Sequence, residues 1–174
     1  AILARAGMTG PAQPFEGPGA LWSRNGRREI NLPVEEKLAI ELNWFKARPA
    51  EASSQGTLTL IPEMRAWTKP EEIASIEYDM NELGEISDAP KFDPQNREPA
   101  DHSMPYILAR ALLDGDVYMD SFTDAAKRND PAARALMAKM TFGQVDGWSG
   151  LGPARITIRK TNGESRTWDT YKGV

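Results

Sequence analysis

The polar groups best suited to chemistry are concentrated in one stretch, Asp101–Gly115. It contains His102, the only histidine among the 174 residues, followed by Ser103 and Tyr106. A serine at a helix start and a proline just inside it satisfy or tolerate the unpaired first-turn N–H groups, and Gly115 supplies a stop signal. The residues between are apolar on nearly every side, which predicts a helix buried on more than one face. Because free N–H groups and the helix dipole favour negative charge, the polar start of this helix is a candidate wall of an anion-binding site.

A second polar stretch, residues 46–56, contains cations beside small polar side chains. Lys46 and Arg48 suit the recognition of carboxylates, Arg through a bidentate fork and Lys as a point charge. The alternative is that both are solvated loop cations. Ser53 and Gln55 are interpreted first as residues of a helix start, with a hydrogen bond to a substrate as the second interpretation.

The composition argues against several kinds of site and partner. There is no cysteine, which removes disulfides, thiolate nucleophiles and cysteine-based metal sites, and which fits the reducing cytoplasm where we expect the protein to be located. One histidine and no carboxylate cluster with ligand spacing argue against a metal centre. The net charge of −4 and the pI near 5.2 argue against a nucleic-acid or anionic-membrane partner. No apolar run approaches the roughly 18–20 residues needed to span a bilayer.

Hydrophobic periodicity predicts an α+β fold, a two-layer sandwich in which helices pack on a mixed or antiparallel sheet. Alternation predicts strands at 38–45 and 75–80, and Asn162–Gly163 between the alternating runs 155–160 and 166–170 predicts a β-hairpin. The other predicted elements are helices from Ser53 or Ser54 to Trp67, at 103–114 and at 131–140, helical turns at 20–24 and 69–73, a short helix capped by Ser121 and Asp124, an extended link at 117–122 and a loop at 81–100. Because the strands are half polar, one face of the sheet is expected to meet solvent or another structure.

The chain divides by pattern into three parts. Ala1–Gly7 has the pattern of the last turns of an apolar helix, and residues 8–29 are rich in glycine and proline. We therefore expect residues 1–24 to be the end of an upstream helical domain with a linker, residues 25–150 to form an α+β domain, and residues 151–174 to be a hairpin that completes its sheet. The apolar opening leads us to expect that the sequence is a piece of a longer protein.

Three stretches, in the same order, resemble the MmgE/PrpD family, whose members include 2-methylcitrate dehydratases, cis-aconitate decarboxylase and iminodisuccinate epimerase. They are Glu16–Leu21, Lys46–Gln55 and Arg97–Gly115, and the last contains the specific run Asp-His-Ser…Tyr…Leu-Leu-Asp-Gly. The resemblance spans nearly the whole chain and implies the C-terminal lid region of such an enzyme. It further implies a cleft between this lid and a large upstream helical domain, a homodimer, a small polycarboxylate substrate and no cofactor.

The resemblance also implies roles for seven residues. Tyr106 would work in proton transfer, although its pattern alone fits a core tyrosine. His102 would be catalytic, with a structural hydrogen-bonding role as the alternative. Substrate-binding roles fall to Lys46, Arg48, Ser53, Gln55 and Ser103.

The function implied by the resemblance is that of the lid of a hydro-lyase acting on a small hydroxy-polycarboxylate such as 2-methylcitrate. Several relatives carry a histidine in the segment after Pro-Ala-Glu, where this chain has Ala52–Ser53. Decarboxylation or epimerisation on the same scaffold therefore stays open. So does a non-catalytic binding or assembly module that has kept the fold.

Overall fold

The computed structural model describes residues 45–81, 89–148 and 152–170, with the isolated positions 5–7, 13, 15, 17, 20, 22, 23 and 26. The chain divides into two compact units, Ala1–Asn43 and Trp44–Val174. In the first unit Trp22 and Ser23 are helical, as the pattern at 20–24 predicts. The domain boundaries predicted at 24/25 and 150/151 lie outside the described residues, as does the predicted strand at 38–45 except for Phe45, which is exposed and not in a strand.

The second unit contains a four-stranded mixed sheet with helices packed against it, so the predicted α+β fold is confirmed. The strands are β1 (Ile73–Met80), β2 (Met140–Gln144), β3 (Ala154–Lys160) and β4 (Ser165–Asp169). Their order in the sheet is β2-β1-β3-β4. The pair β1–β2 is parallel, whereas β1–β3 and β3–β4 are antiparallel.

Six α-helices are present in the described part of this unit: α1 (Ser54–Trp67), α2 (Arg97–Asp101), α3 (Met104–Asp114), α4 (Met119–Thr123), α5 (Ala125–Arg128) and α6 (Pro131–Met137). Two 3₁₀ turns, Pro70–Glu72 and Ala89–Phe92, lie between them. Alternation divides the sheet into a buried face, with Ile76 and Ile158, and a wetter face, with Glu77 and Thr167. No helix among the described residues is long and apolar enough to cross a membrane.

Helix α3 lies at the centre of the core and contacts both α1 and α6. Its start and end agree with the prediction. The Ser103 hydroxyl accepts the Tyr106 N–H at 3.2 Å, and Gly115 ends the helix in the left-handed conformation with φ +96°. Every side chain from Met104 to Leu112 is buried, because the helix is apolar on nearly every side.

The predicted C-terminal hairpin is also confirmed. Strands β3 and β4 are joined by a turn in which Lys160 N–H donates to the Glu164 carbonyl and Gly163 has φ +92°. Only a residue that tolerates a positive φ fits this turn without strain, which is why Asn-Gly is informative. The hairpin joins the sheet through β1, whose tyrosine Tyr78 pairs with Ile156.

Three local predictions were wrong. The link predicted at 117–122 is extended only at its start, because Ser121 Oγ accepts the Tyr118 N–H and helix α4 begins at Met119. The helix predicted at 131–140 ends at Met137, since Met140 pairs with Ile76 as the first residue of β2. The loop predicted at 81–100 contains the turn Ala89–Phe92 and the helix α2.

Candidate functional site

The two polar stretches singled out in the sequence meet in the structure. The Glu51 N–H donates to the Asp101 carbonyl at 2.8 Å, which joins the segment Lys46–Gln55 to the turn before α3. At the other end of α3, the Arg48 Nε donates to Asp116 Oδ1 at 2.6 Å. The segment is therefore anchored at both ends of α3, by its backbone at Asp101 and by the Arg48 side chain at Asp116. We call the segment Lys46–Gln55 the cationic loop.

The Gln55 side chain holds the cationic loop in its conformation. Its Oε1 accepts the Arg48 N–H at 3.1 Å. Its Nε2 lies within hydrogen-bond distance of the carbonyls of Arg48, Ala50 and Glu51, at 3.1, 3.3 and 3.3 Å. Both polar atoms of the Gln55 side chain are thus hydrogen-bonded to the loop backbone. These bonds fix the position of the Arg48 backbone.

The Ser53 and Ser54 hydroxyls are also engaged within the loop. Ser53 donates its backbone N–H to Glu51 Oε2 at 2.6 Å, and its hydroxyl donates to the same carboxylate oxygen. Ser54 donates its hydroxyl to the Glu51 carbonyl at 2.6 Å. Ser53 occupies the N-cap position of α1 but makes no side-chain capping bond to the helix. The Glu51 carboxylate therefore organises the start of α1.

The two cations of the loop have different surroundings. Lys46 is exposed, and among the described residues it has no ion pair or side-chain hydrogen bond. Arg48 is 21% exposed and is held through Nε by Asp116. Lys46 is available to an anionic ligand, while Arg48 has a fixed direction.

His102 directly follows Asp101, the residue whose carbonyl accepts the Glu51 N–H. His102 Nδ1 lies 2.6 Å from Asp101 Oδ1 and 3.2 Å from the Glu98 carbonyl, and its side chain is 47% exposed. With Nδ1 as the donor to Asp101, the second ring nitrogen Nε2 is left to accept or return a proton. The arrangement is that of an imidazole oriented by a carboxylate.

Tyr106 and Ser103 lie inside the core. The Tyr106 hydroxyl donates to the Ser121 carbonyl at 2.5 Å, and no part of the residue is exposed. Burial raises its pKa to about 12, with nearby Arg110 acting in the opposite direction. Ser103, equally buried, donates its hydroxyl to the Lys91 carbonyl at 2.5 Å. Both hydroxyls are therefore satisfied by the protein itself.

Two charged groups that sequence reasoning did not select are fixed around α3. Asp116 holds Arg48 at the end of the helix. Arg110, whose side chain is only 5% exposed, donates to Asp114 at 2.5 Å and to Asp130 at 2.6 Å. The spacing of Arg110 and Asp114, four residues apart on one helix, was a usable signal. The Arg48–Asp116 pair had none, since its partners are 68 residues apart.

Among the residues that the structure describes, no three His, Cys, Asp or Glu side chains are grouped so that they would hold a metal ion. The charged groups on either side of the Glu51–Asp101 hydrogen bond include the cations of the loop and the Asp101–His102 pair. This set is suited to binding an anion and moving a proton.

A protein-family model described as the MmgE/PrpD C-terminal domain matches residues 49–170. The chain belongs to the MmgE/PrpD family. The match includes Ser53, Gln55, His102 and Tyr106, and begins just after Arg48. Membership of the MmgE/PrpD family confirms the resemblance drawn from the sequence, including its C-terminal position, and the family consists generally of dehydratase and lyase-type enzymes.

Proposed function

We propose that this MmgE/PrpD domain is the lid of a carbon–oxygen lyase that removes water from a small hydroxy-polycarboxylate such as 2-methylcitrate. The observation that carries the proposal is the hydrogen bond between Glu51 N–H and the Asp101 carbonyl, which unites the cationic loop with the histidine turn. This bond places the segment that carries the exposed Lys46 and the partly exposed Arg48 next to the turn that carries the exposed His102.

The cations support binding of a substrate with several carboxylates. Lys46 supplies a positive charge that no described acid neutralises, and Arg48 supplies a guanidinium of fixed direction. Cations held at an exposed edge both attract a polyanion and orient it. Lys46 and Arg48 are accordingly proposed to contact substrate carboxylates.

The Asp101–His102 pair supports proton transfer. Loss of water breaks a C–H and a C–O bond and forms a C=C bond, so one group must take the carbon proton and another must protonate the departing hydroxyl. His102 Nε2 is proposed to serve as one of these groups, with Asp101 holding the ring through Nδ1. The other is expected from the helical domain that the resemblance implies.

Tyr106, Ser53, Gln55 and Ser103 stay predictions as site residues. In the described conformation each has its polar side-chain atoms bonded within the protein, Tyr106 to the Ser121 carbonyl and Gln55 to the loop backbone. To touch a substrate, each would have to give up these bonds.

The test is the reaction of the intact protein, isolated as it occurs in its natural source, with three substrates. We expect loss of water from 2-methylcitrate, followed as the appearance of a conjugated double bond. Release of CO₂ from cis-aconitate, or epimerisation of iminodisuccinate, would replace the proposed dehydration with one of the two alternative reactions. Both stay open because this chain has Ala52–Ser53 where several relatives carry a histidine. Absence of all three reactions would contradict the proposal and favour the binding module.

A further inference from the structure

Three groups of Arg48 are hydrogen-bonded within the protein, which distinguishes this residue from a solvated loop cation. Its backbone N–H and carbonyl both bond to the Gln55 side chain, and its Nε bonds to Asp116. The neighbouring Ala50, which is buried, also donates its N–H to the Arg48 carbonyl at 2.8 Å. The start and the middle of the arginine side chain are therefore fixed relative to the core.

The carboxylate of Asp116 is itself fixed. Its Oδ1 accepts the Val117 N–H at 2.9 Å as well as the Arg48 Nε–H at 2.6 Å. Val117 is buried, and Gly115 ends α3 immediately before Asp116. Because its position depends on the end of the central helix, Asp116 relates Arg48 to the most deeply buried element of the unit.

The contact with Asp116 uses only one corner of the guanidinium. Arginine carries five N–H donors in a planar fork, and the two terminal nitrogens form the edge that binds a carboxylate with two parallel hydrogen bonds. Within the described part of the chain, neither Nη atom of Arg48 has a hydrogen-bond partner. The side chain is 21% exposed, and its Nη atoms are not fully buried, so this edge can be reached from solvent.

We propose that Asp116 is a positioning residue that orients the Arg48 guanidinium, so that its terminal edge receives one carboxylate of a polycarboxylate substrate. The inference rests on the proposed function, since it names how one carboxylate of that substrate is bound. Asp116 touches no substrate in this account and acts only through Arg48.

The experiment compares Asp116→Asn with wild type in the intact enzyme, with 2-methylcitrate as substrate and citrate as the equilibrium-binding probe. The asparagine keeps an oxygen that can accept both N–H groups but removes the negative charge that strengthens the bond to the guanidinium. We expect KM and the citrate Kd to rise about tenfold, roughly the difference between a charge-assisted and a neutral hydrogen bond, with kcat within about twofold. The matched control is Glu164→Gln, which removes an acid from the exposed pair with Lys160 and should leave both constants unchanged.

A second variant separates orientation from plain stabilisation. Arg48→Lys removes the fork but keeps the charge, so adding Asp116→Asn to it should raise KM no further. A melting temperature that falls while KM stays at the wild-type value would make Asp116 merely structural and overturn the inference, leaving the proposed function intact. An equal further rise of KM in the double variant would also overturn it. If wild type neither binds citrate nor turns over 2-methylcitrate, the proposed function and this inference fail together.

Discussion

At the scale of single residues, the two side chains at the start of α3 that were predicted to move protons have opposite surroundings. The His102 ring is 47% exposed and is oriented by Asp101. Tyr106 is fully buried and donates its hydroxyl to the Ser121 carbonyl. A proton donor must reach its substrate, and a buried phenol with a satisfied hydroxyl contributes mainly to packing. The exposed imidazole is the better placed of the two.

Replacing Tyr106 with phenylalanine tests its role. We expect the free energy of unfolding to fall by about 1–3 kcal/mol, because the buried Ser121 carbonyl loses its donor. Turnover by the intact enzyme should stay near the wild-type value. Urea unfolding together with kcat measures both quantities. A large loss of kcat at unchanged stability would instead support the proton-transfer role that the resemblance implies.

The same tyrosine should contribute to the loss of stability in alkali. Burial raises its pKa from 10.0 to about 12, so the folded state prefers the neutral phenol. The neutral phenol makes its full contribution to stability below pH 10. This contribution is lost as the pH rises from 10 to about 12, and the total loss is roughly 3 kcal/mol. Unfolding measured across this range should therefore show a shallower decline for Tyr106→Phe than for wild type. The pKa of Tyr78 is raised too, by burial, and its share should persist in the variant. Identical slopes for the two proteins would contradict this assignment.

Replacing His102 with glutamine tests proton transfer at the exposed position. We expect kcat of the intact enzyme to fall on the order of 10²-fold, a typical contribution of general acid–base catalysis. Stability should change by less than about 0.5 kcal/mol, because the side chain is largely solvated. Wild-type turnover in the variant would assign His102 the structural hydrogen-bonding role that the sequence left open.

At the scale of elements, the start of α1 is packed closely against the C-terminal hairpin. The Thr170 hydroxyl donates to the Gly152 carbonyl at 3.2 Å and accepts the Ala154 N–H at 2.8 Å. Gly152 in turn lies so close to the loop that an added Cβ would be 2.6 Å from the Ser53 carbonyl oxygen. The cationic loop therefore has backbone on both sides, from Asp101 and from Gly152.

Two glycine substitutions measure this close approach. Gly152 and Gly147 both have a positive φ, +78° and +83°, but only Gly152 has an atom within 4 Å of its built Cβ. Gly147→Ala should therefore lower the free energy of unfolding by only about 1–2 kcal/mol, the strain of an L residue in the left-handed conformation. Gly152→Ala should lose more than this, since the clash is with backbone and the loop must move. Chemical denaturation of both variants checks the difference, and equal losses would contradict the packing.

The elements that could be predicted from the sequence are those with local signals. Helix α3 has its serine cap and glycine stop within its own sequence, and the hairpin has Asn162–Gly163. Strand β2 was missed because its five residues form a strand only by pairing with β1, more than sixty residues earlier in the chain. Helix α4 was missed because the Tyr118 N–H is satisfied by Ser121, a side-chain bond that hydrophobic alternation does not reveal.

The candidate site was predictable in its residue types and not in its geometry. Lys46, Arg48 and His102 stand out by charge and by rarity. Their segments are joined by a backbone hydrogen bond from Glu51 to Asp101. A backbone hydrogen bond between distant residues cannot be predicted from the pattern of side chains. The burial of Tyr106 follows from the packing of α3 against α1 and α6, which is likewise a tertiary property.

At the scale of the whole molecule, the proposed substrate surface is assembled from distant parts of the unit Trp44–Val174. The cationic loop lies near its beginning, Asp101 and Asp116 flank the central helix, and Gly152 and Thr170 belong to the hairpin at its end. The surface therefore forms only when this unit is folded. The helical domain and the homodimer stay predictions from the sequence stretches that resemble the family, and the cytoplasmic location stays a prediction from the lack of cysteine in the sequence.

We propose that the cationic loop receives a polycarboxylate for dehydration. The test is the KM for 2-methylcitrate of the intact enzyme carrying Lys46→Gln. The control is Lys69→Gln, which removes another exposed lysine, located after the C-terminal end of α1. We predict about a tenfold rise in KM for the first variant and none for the second, because only Lys46 would meet a substrate carboxylate. Equal KM values in the two variants and wild type would contradict the claim.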